Sequence, residues 1–189
     1  MPTTEEVFQM LDNRTLWDVA VQCHHALRDA GVPHAILGGV AVCLHGYQRN
    51  TVDLDLLVRR EDQAKVRETL ESAGLQWSAE QVEFRTAGGV AVQFLIAGNR
   101  AGKDSEVYFP DPGDEQVTAE IEGLPVLTLA RLIETKLASG LGNIRRMHRD
   151  LADVVELIAA HKLDSSFARH LHKSLRPTFR KLVEQSRAH

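Results

Sequence analysis

Ile36-Leu-Gly-Gly-Val-Ala-Val-Cys-Leu-His-Gly-Tyr-Gln-Arg-Asn-Thr-Val-Asp-Leu-Asp-Leu-Leu-Val58 is the stretch that decides the reading of this chain. His34 to Leu37 has the make-up of a short strand. Gly38-Gly39 breaks it, and Val40 to His45 reads as a short helix. Val52 to Val58 is a second strand. Side chains alternate faces along a strand, so Val52, Leu54, Leu56 and Val58 form one wholly apolar face, expected in the core. The other face carries Asp53, Asp55 and Leu57. Two carboxylates then point the same way, roughly 7 Å apart by the rise per residue. They repel each other unless a cation or protons sit between them. Strands are poor in Asp, so a strand carrying two on one face is a candidate site.

The elements around it read outward. Thr4 to Leu11 and Leu16 to Ala30 are predicted helices, the second capped near Asn13/Thr14 and stopped at Gly31-Val-Pro33. Asp62 to Ala73 is a helix closed by Gly74. Trp77 to Thr86 and Val90 to Ile96 flank Gly88-Gly89, a two-residue hairpin signal. Asn99 to Glu115 is rich in Gly, Asp and Pro and reads as a loop. Val117 to Val126 holds one or two short edge strands around Gly123. Beyond Thr128 the pattern is helical, at 128–138, 145–160, 164–172 and 177–187. The order predicts an α+β fold: a small mixed β-sheet flanked by helices, with a C-terminal helical region. The expected division is residues 1–127 for the core with its N-terminal helices and 128–189 for the helical region packed against it.

Composition bounds the rest. At 189 residues and 43% hydrophobic, the chain is sized for one ordinary globular domain. No apolar run approaches the roughly 20 residues that span a membrane. The first residues, MPTTEEVFQMLDN, lack the basic and apolar stretches of a signal peptide. Two cysteines, Cys23 and Cys43, make neither a disulfide framework nor a four-ligand zinc site. A reducing cytoplasm fits these features. A net charge of −4 gives no general attraction to nucleic acid. The segment from His161 to His189 differs, carrying seven Lys/Arg against Asp164 and Glu184. It reads as a solvated helical face or as a surface for RNA or phosphate.

The chemistry joins Gly38-Gly39 to Asp53 and Asp55. A strand that ends at two glycines and turns into a helix presents backbone N–H groups that can cradle phosphate. Mg²⁺ arriving with a nucleoside triphosphate takes its oxygens from one or two carboxylates and from the phosphates. Asp53 and Asp55 are the candidate ligands for Mg²⁺ or Mn²⁺, and Gly38/Gly39 the candidate phosphate cradle.

The same segment resembles the minimal nucleotidyltransferases of the polymerase-β-like superfamily, most of all their abortive-infection and toxin–antitoxin branch. The family pattern is a Gly-Gly or Gly-Ser turn, an Arg, a Ser/Thr and then Asp-x-Asp. Gly38, Gly39, Arg49, Thr51, Asp53 and Asp55 match it in order. The resemblance runs from about residue 20 to residue 160. It implies transfer of a nucleoside monophosphate from an NTP to an acceptor hydroxyl. The acceptor would be an RNA or tRNA end, a protein side chain or a small molecule such as an aminoglycoside. A cognate antitoxin is the implied protein partner.

One position departs from the pattern. The superfamily places a third carboxylate on a neighbouring strand. Here Val90, Val92, Phe94 and Ile96 form the apolar face, leaving Gln93 with Ala91 and Leu95 on the face of Asp53 and Asp55. An amide offers a carbonyl oxygen but accepts no proton as a general base. The alternative function is therefore a weakened or inactive nucleotide-binding or regulatory module. Glu83 is the nearest substitute. A two-residue turn puts Phe84 opposite Gln93 and turns Glu83 away, and a slip of one residue reverses this.

The helical half adds two residues. Lys136 falls within the apolar stripe Leu129, Leu132, Ile133 and Leu137, where it either snorkels or meets an anion. Asp150 falls within the stripe Met147, Leu151, Val154 and Ile158, and a buried Asp needs a partner. Lys136 and Arg149 are candidates. Leu132-Ile-Glu-Thr-Lys-Leu and Arg149-Asp-Leu-Ala-Asp-Val154 also resemble the later motifs of the toxin-like family. That implies Lys136 as a phosphate ligand and Asp150 as a supporting carboxylate, with Asp153 nearer the polar side. His45 caps the short helix, lies near a ribose or, the favoured reading, is a structural histidine, and the remaining histidines show no metal-ligand spacing.

Overall fold

The computed structural model describes residues 3–10 and 13–187; Leu11 and His189, which fall in two of the predicted segments, lie outside them. The elements are α1 (Thr4–Met10), α2 (Arg14–Asp29), β1 (His34–Leu37), α3 (Gly38–Leu44), β2 (Asp53–Val58), α4 (Gln63–Ser72), β3 (Gln76–Ser78), β4 (Glu83–Arg85), β5 (Ala91–Ile96), β6 (Thr118–Ile121), β7 (Leu124–Leu127), α5 (Leu129–Gly142), α6 (Ile144–Ala160) and α7 (Arg176–Arg187). Two 3₁₀ turns, Ser165–His170 and Lys173–Leu175, replace the helix expected at 164–172. The fold is α+β, with one mixed seven-stranded sheet in the order β3-β4-β5-β2-β1-β7-β6.

The pairing is antiparallel for β1–β2, β3–β4, β4–β5 and β6–β7, and parallel for β2–β5 and β1–β7. β2 is therefore central. Leu54, Leu56 and Val58 are fully buried on one face, and Leu57 is buried on the other, so helices cover both sides of the sheet here. Val52 does not join them. It lies before the strand begins and is 71% exposed. The apolar alternation was projected one residue too far, into the loop that leads to β2.

The hairpin also differs from expectation. Thr86 N donates to Val90 O at 3.1 Å, which leaves Ala87-Gly88-Gly89 as a three-residue loop. Gly89 sits at φ +83°, the left-handed residue that closes such loops. The extra residue shifts the register by one, and a one-residue shift moves every side chain to the other face. Glu83, not Phe84, lies opposite Gln93. Phe84 goes into the core with Trp77 and Phe94 as edge-to-face neighbours.

On the site side of the sheet, α3 leaves the end of β1 directly, and α5 packs beside it along β7. The antiparallel pair α5/α6 is the main helical unit, and α7 folds back onto α6. α5 runs four residues beyond the predicted end, through Gly140 and Gly142. A Cβ at Gly142 would strike the Lys103 backbone at 2.5 Å, so the last turn of α5 closes against the 99–109 loop.

Candidate active site

The β1–α3 junction explains its own glycines. Gly38 has φ +68°, and a Cβ there would lie 1.9 Å from the Asp55 Oδ2 atom. A Cβ on Gly39 would lie 2.2 Å from the Thr51 hydroxyl and 3.2 Å from the Arg49 guanidinium. The two glycines thus let the backbone pass directly over the carboxylate and over Thr51. Thr51 is buried, its carbonyl accepts from the Asn13 side chain at 2.5 Å, and its hydroxyl donates to Asp53 at 3.4 Å. The loop before β2 is therefore pinned from the N-terminal side.

Leu37 lies across from Asp55 on one side of β2, and Gln93 lies across from it on the other. Asp53 faces Ala91. Burial, and then the neighbouring Asp53, push the Asp55 carboxyl up from 3.8 to about 6. Arg146, Lys136 and Arg149 pull the other way from across the cleft. A carboxylate raised by a like charge is a site that gains from a cation. Among the described residues no group of three or more His, Cys, Asp or Glu side chains converges as a metal cage. Two carboxylates still fit Mg²⁺, which takes one or two from protein and the rest of its oxygens from phosphate and water.

The helical side is built differently. Asp153 accepts from Arg49 Nε at 2.7 Å and from the same guanidinium's second nitrogen at 3.0 Å. The oxygen that takes this second bond also lies 2.8 Å from Lys136 Nζ. Lys136 also donates to Asp150 at 2.9 Å, and Arg146 approaches Asp150 at 3.4 Å. Asp150, Asp153 and Lys136 are all buried, at 0, 1 and 5% exposure. The chain Arg49–Asp153–Lys136–Asp150–Arg146 ties the β2 approach loop to α5 and α6. Lys136 thus has two anionic partners rather than a snorkelling course, and its pairing with Asp150 rather than Arg149–Asp150 is the one formed. Asp153, read as nearer the polar side, is a central member. The buried face of α6 runs through Asp150, Asp153, Val154, Leu157 and Ile158, one position off the apolar stripe. Its two aspartates sit inward because their partners come from other elements, Arg49 being 104 residues away.

Between the two sides lies a cleft of about 330 Å³, with Gly38, Asp55, Gln93, Lys136, Arg146 and Asp150 in its wall. Leu37, Phe109 and Ala101 complete its apolar part. Arg100, Lys103 and Arg146 border a wider adjoining groove near the start of α6. Nothing in the loop composition around Arg100 or Phe109 marked them beforehand. Glu83 is buried beside Gln93, accepting from its Nε2 at 3.1 Å and pairing with Arg85 at 2.5 Å. His45 is structural: its Nε2 bonds the Leu127 carbonyl at 2.8 Å, and His161 bonds the His45 carbonyl at 2.7 Å.

Residues 19–157 match the family model described as aminoglycoside-2''-adenylyltransferase. The chain belongs to that family. It is thereby placed among the nucleotidyltransferases, as the Gly-Gly and Asp-x-Asp motif implied, and the match says nothing of a toxin–antitoxin branch. No curated protein sequence matches the chain. Solved structures share the fold. JHP933 from Helicobacter pylori aligns over 86% of this chain and 72% of its own, with TM-score 0.52 and 18% identity. The solution structure of the antibiotic-resistance factor ANT(2'')-Ia aligns over 92% of this chain and 94% of its own, with TM-score 0.50 and 16% identity. An antigenic nucleotidyltransferase-like protein from Paracoccidioides brasiliensis aligns over 75% of this chain and 74% of its own, with TM-score 0.50 and 18% identity.

Proposed function

We propose that this member of the aminoglycoside-2''-adenylyltransferase family transfers a nucleoside monophosphate, AMP in keeping with the family's description, from an NTP to an acceptor hydroxyl. Asp53 and Asp55 hold Mg²⁺ or Mn²⁺ and are the catalytic carboxylates. The Gly38/Gly39 backbone, Arg49 and Thr51 line the phosphate side, with Lys136 and Asp150 closing it from the helices. The observation that carries this reading is the Asp55 carboxylate. It is pressed against the Gly38 backbone, raised by burial and then by Asp53, and opens onto the cleft. A bound divalent ion would neutralise phosphate charge and stabilise the attacking and leaving oxygens. The acceptor oxygen forms a bond to the α-phosphorus, the bond to pyrophosphate breaks, and the hydroxyl proton leaves. Gln93 cannot take that proton, so it passes to solvent.

The acceptor is a separate question. The family's description points to an aminoglycoside hydroxyl. Arg100, Lys103 and Arg146, against Asp104 alone, leave the groove net positive, which favours an anionic acceptor such as an RNA or tRNA end over a polycation. Incubation with α-labelled ATP, Mg²⁺ and either kanamycin-type aminoglycosides or bulk tRNA tests both. Labelled product that is absent with Asp53→Ala/Asp55→Ala supports the enzyme, and no labelling of any acceptor counts against it. The toxin-like role and the antitoxin partner rest on the motif resemblance. Growth arrest on expression of the wild type and not of that double variant would support them.

A second reading is favoured by Gln93: a nucleotide-binding module that turns over slowly. Gln93→Asp alone would set two carboxylates side by side across a strand pair, which is unfavourable. Glu83→Gln/Gln93→Asp removes the repulsion from the β4 side and leaves only the one facing Asp55, which a cation would relieve. A large gain of transfer in that double variant would assign the slow step to the missing base. The division at residue 128 and a cytoplasmic setting remain part of the proposal. Two buried free cysteines are in keeping with a reducing setting.

A further inference from the structure

We infer that Glu83 is a positioning residue: it locks the Gln93 amide so that the carbonyl oxygen, not the NH₂ group, serves the attacking hydroxyl. The inference rests on the transfer reaction proposed above and concerns a residue outside its motif.

The amide's orientation follows from donor and acceptor chemistry. An ionised carboxylate only accepts hydrogen bonds, so the end of Gln93 that meets Glu83 has to be Nε2. That bond is 3.1 Å long, and Glu83 is 6% exposed. Arg85 pairs with the other Glu83 oxygen. The amide is planar, so Oε1 is left turned away from Glu83. Across the sheet the order is Glu83 on β4, Gln93 on β5 and Asp55 on β2, each directly opposite the next. Asp55 in turn touches the Gly38 backbone.

In-line displacement brings the nucleophile to the side of the α-phosphorus opposite the leaving group. With the β and γ phosphates on the Gly38 side, the hydroxyl enters on the Gln93 side of Asp55. A fixed Oε1 there accepts the hydroxyl's hydrogen bond and orients its lone pairs. A freely flipping amide would present NH₂ half the time and compete for those lone pairs. The third corner of the site thus orients the nucleophile without taking its proton. The carboxylate expected there stands one strand further out.

Glu83→Gln is the discriminating variant. It keeps the volume and can still bond Gln93, but it permits both amide orientations. The expected result is a KM for the acceptor raised about three- to tenfold, the weight of one neutral hydrogen bond. The KM for Mg-ATP should stay unchanged and the melting temperature nearly so. In a Gln93→Leu background the same Glu83 change should have no further effect on the acceptor KM. An undiminished effect there, or no effect of Glu83→Gln in the parent, overturns the inference. A readout without turnover covers the case in which no acceptor is labelled at all. The Gln93 side-chain NH₂ resonances, identified by their loss in Gln93→Leu, should be shifted and slow to exchange in the parent and should lose both properties in Glu83→Gln. Unchanged resonances overturn the positioning role even if the transfer reading has failed separately.

Discussion

The two walls of the cleft handle charge in opposite ways. On the sheet wall, Asp53 and Asp55 share a face, and the nearer is raised toward neutrality by burial and by its neighbour. On the helical wall, Arg49, Asp153, Lys136, Asp150 and Arg146 alternate in sign and are within bonding distance in sequence. The first wall stores unfavourable energy that a cation would release. The second has already discharged it. A buried charge with its partner in place is architecture, because removing one member strands the other. A buried charge held next to a like charge is a binding site in waiting. Lys136 and Asp150 are therefore better placed to hold the wall that faces the nucleotide than to make its first contact.

The comparison breaks most sharply under substitution. Asp53→Ala/Asp55→Ala should lower transfer by about a thousandfold or more, since the metal supplies several kcal/mol of charge stabilisation. The fold should survive. Asp55→Asn alone should raise the stability of the metal-free protein at pH 7 by on the order of 2 kcal/mol, read in a urea melt. A destabilised Asp55→Asn would show that the sheet wall is satisfied without metal. Asp153→Asn should do the reverse. It leaves Arg49 without its anionic partner and Lys136 with Asp150 alone, and should cost about 3–5 kcal/mol of stability. An Asp153→Asn protein as stable as its parent would make the ionic chain dispensable. Gly38→Ala comes next, at about 1–3 kcal/mol, the usual cost of overpacking. Its Cβ meets Asp55 Oδ2 at 1.9 Å in a left-handed backbone, so Asp55 must move and transfer should fall with stability. Retained transfer would mean that Asp55 does not need its present seat.

Most of the sheet wall was legible in the amino-acid order, and little of the helical wall was. Alternation along β2 and β5 put Asp53, Asp55 and Gln93 on one face because the period of a strand is two and both strands are short. The same rule failed at Glu83 because it has to be counted through a turn. One left-handed glycine, Gly89, lengthens that turn and inverts the face. Asp153 was hidden for another reason. Periodicity places apolar residues inward and has no means of burying an aspartate whose partners, Arg49 and Lys136, are brought by tertiary structure alone. Cross-chain ion pairs leave no spacing to read.

The smallest effect sets the sheet wall against a part-buried histidine pair that lies outside the cleft. His34 Nδ1 bonds the Val32 carbonyl at 2.8 Å, which leaves its Nε2 to accept from His24 Nδ1 at 3.0 Å. His34 is thus the neutral Nδ1–H tautomer. Burial, and then His34, lower His24 from 6.5 to about 4, and burial lowers His34. A lowered histidine means that the unfolded chain takes the proton first, so stability is intact above pH 6.5 and is lost as pH falls toward about 4. Asp55 works in the opposite sense over much of the same window. Its raised carboxyl makes the folded state hold the proton more tightly, so its contribution is present below 3.8 and is lost as pH rises through about 6. In EDTA the two slopes partly cancel. His24→Gln, which can still donate to His34, should flatten the acid loss of melting temperature, and Asp55→Asn should steepen it. Identical slopes in parent and both variants would mean that neither the histidine pair nor the carboxylate pair is under electrostatic load.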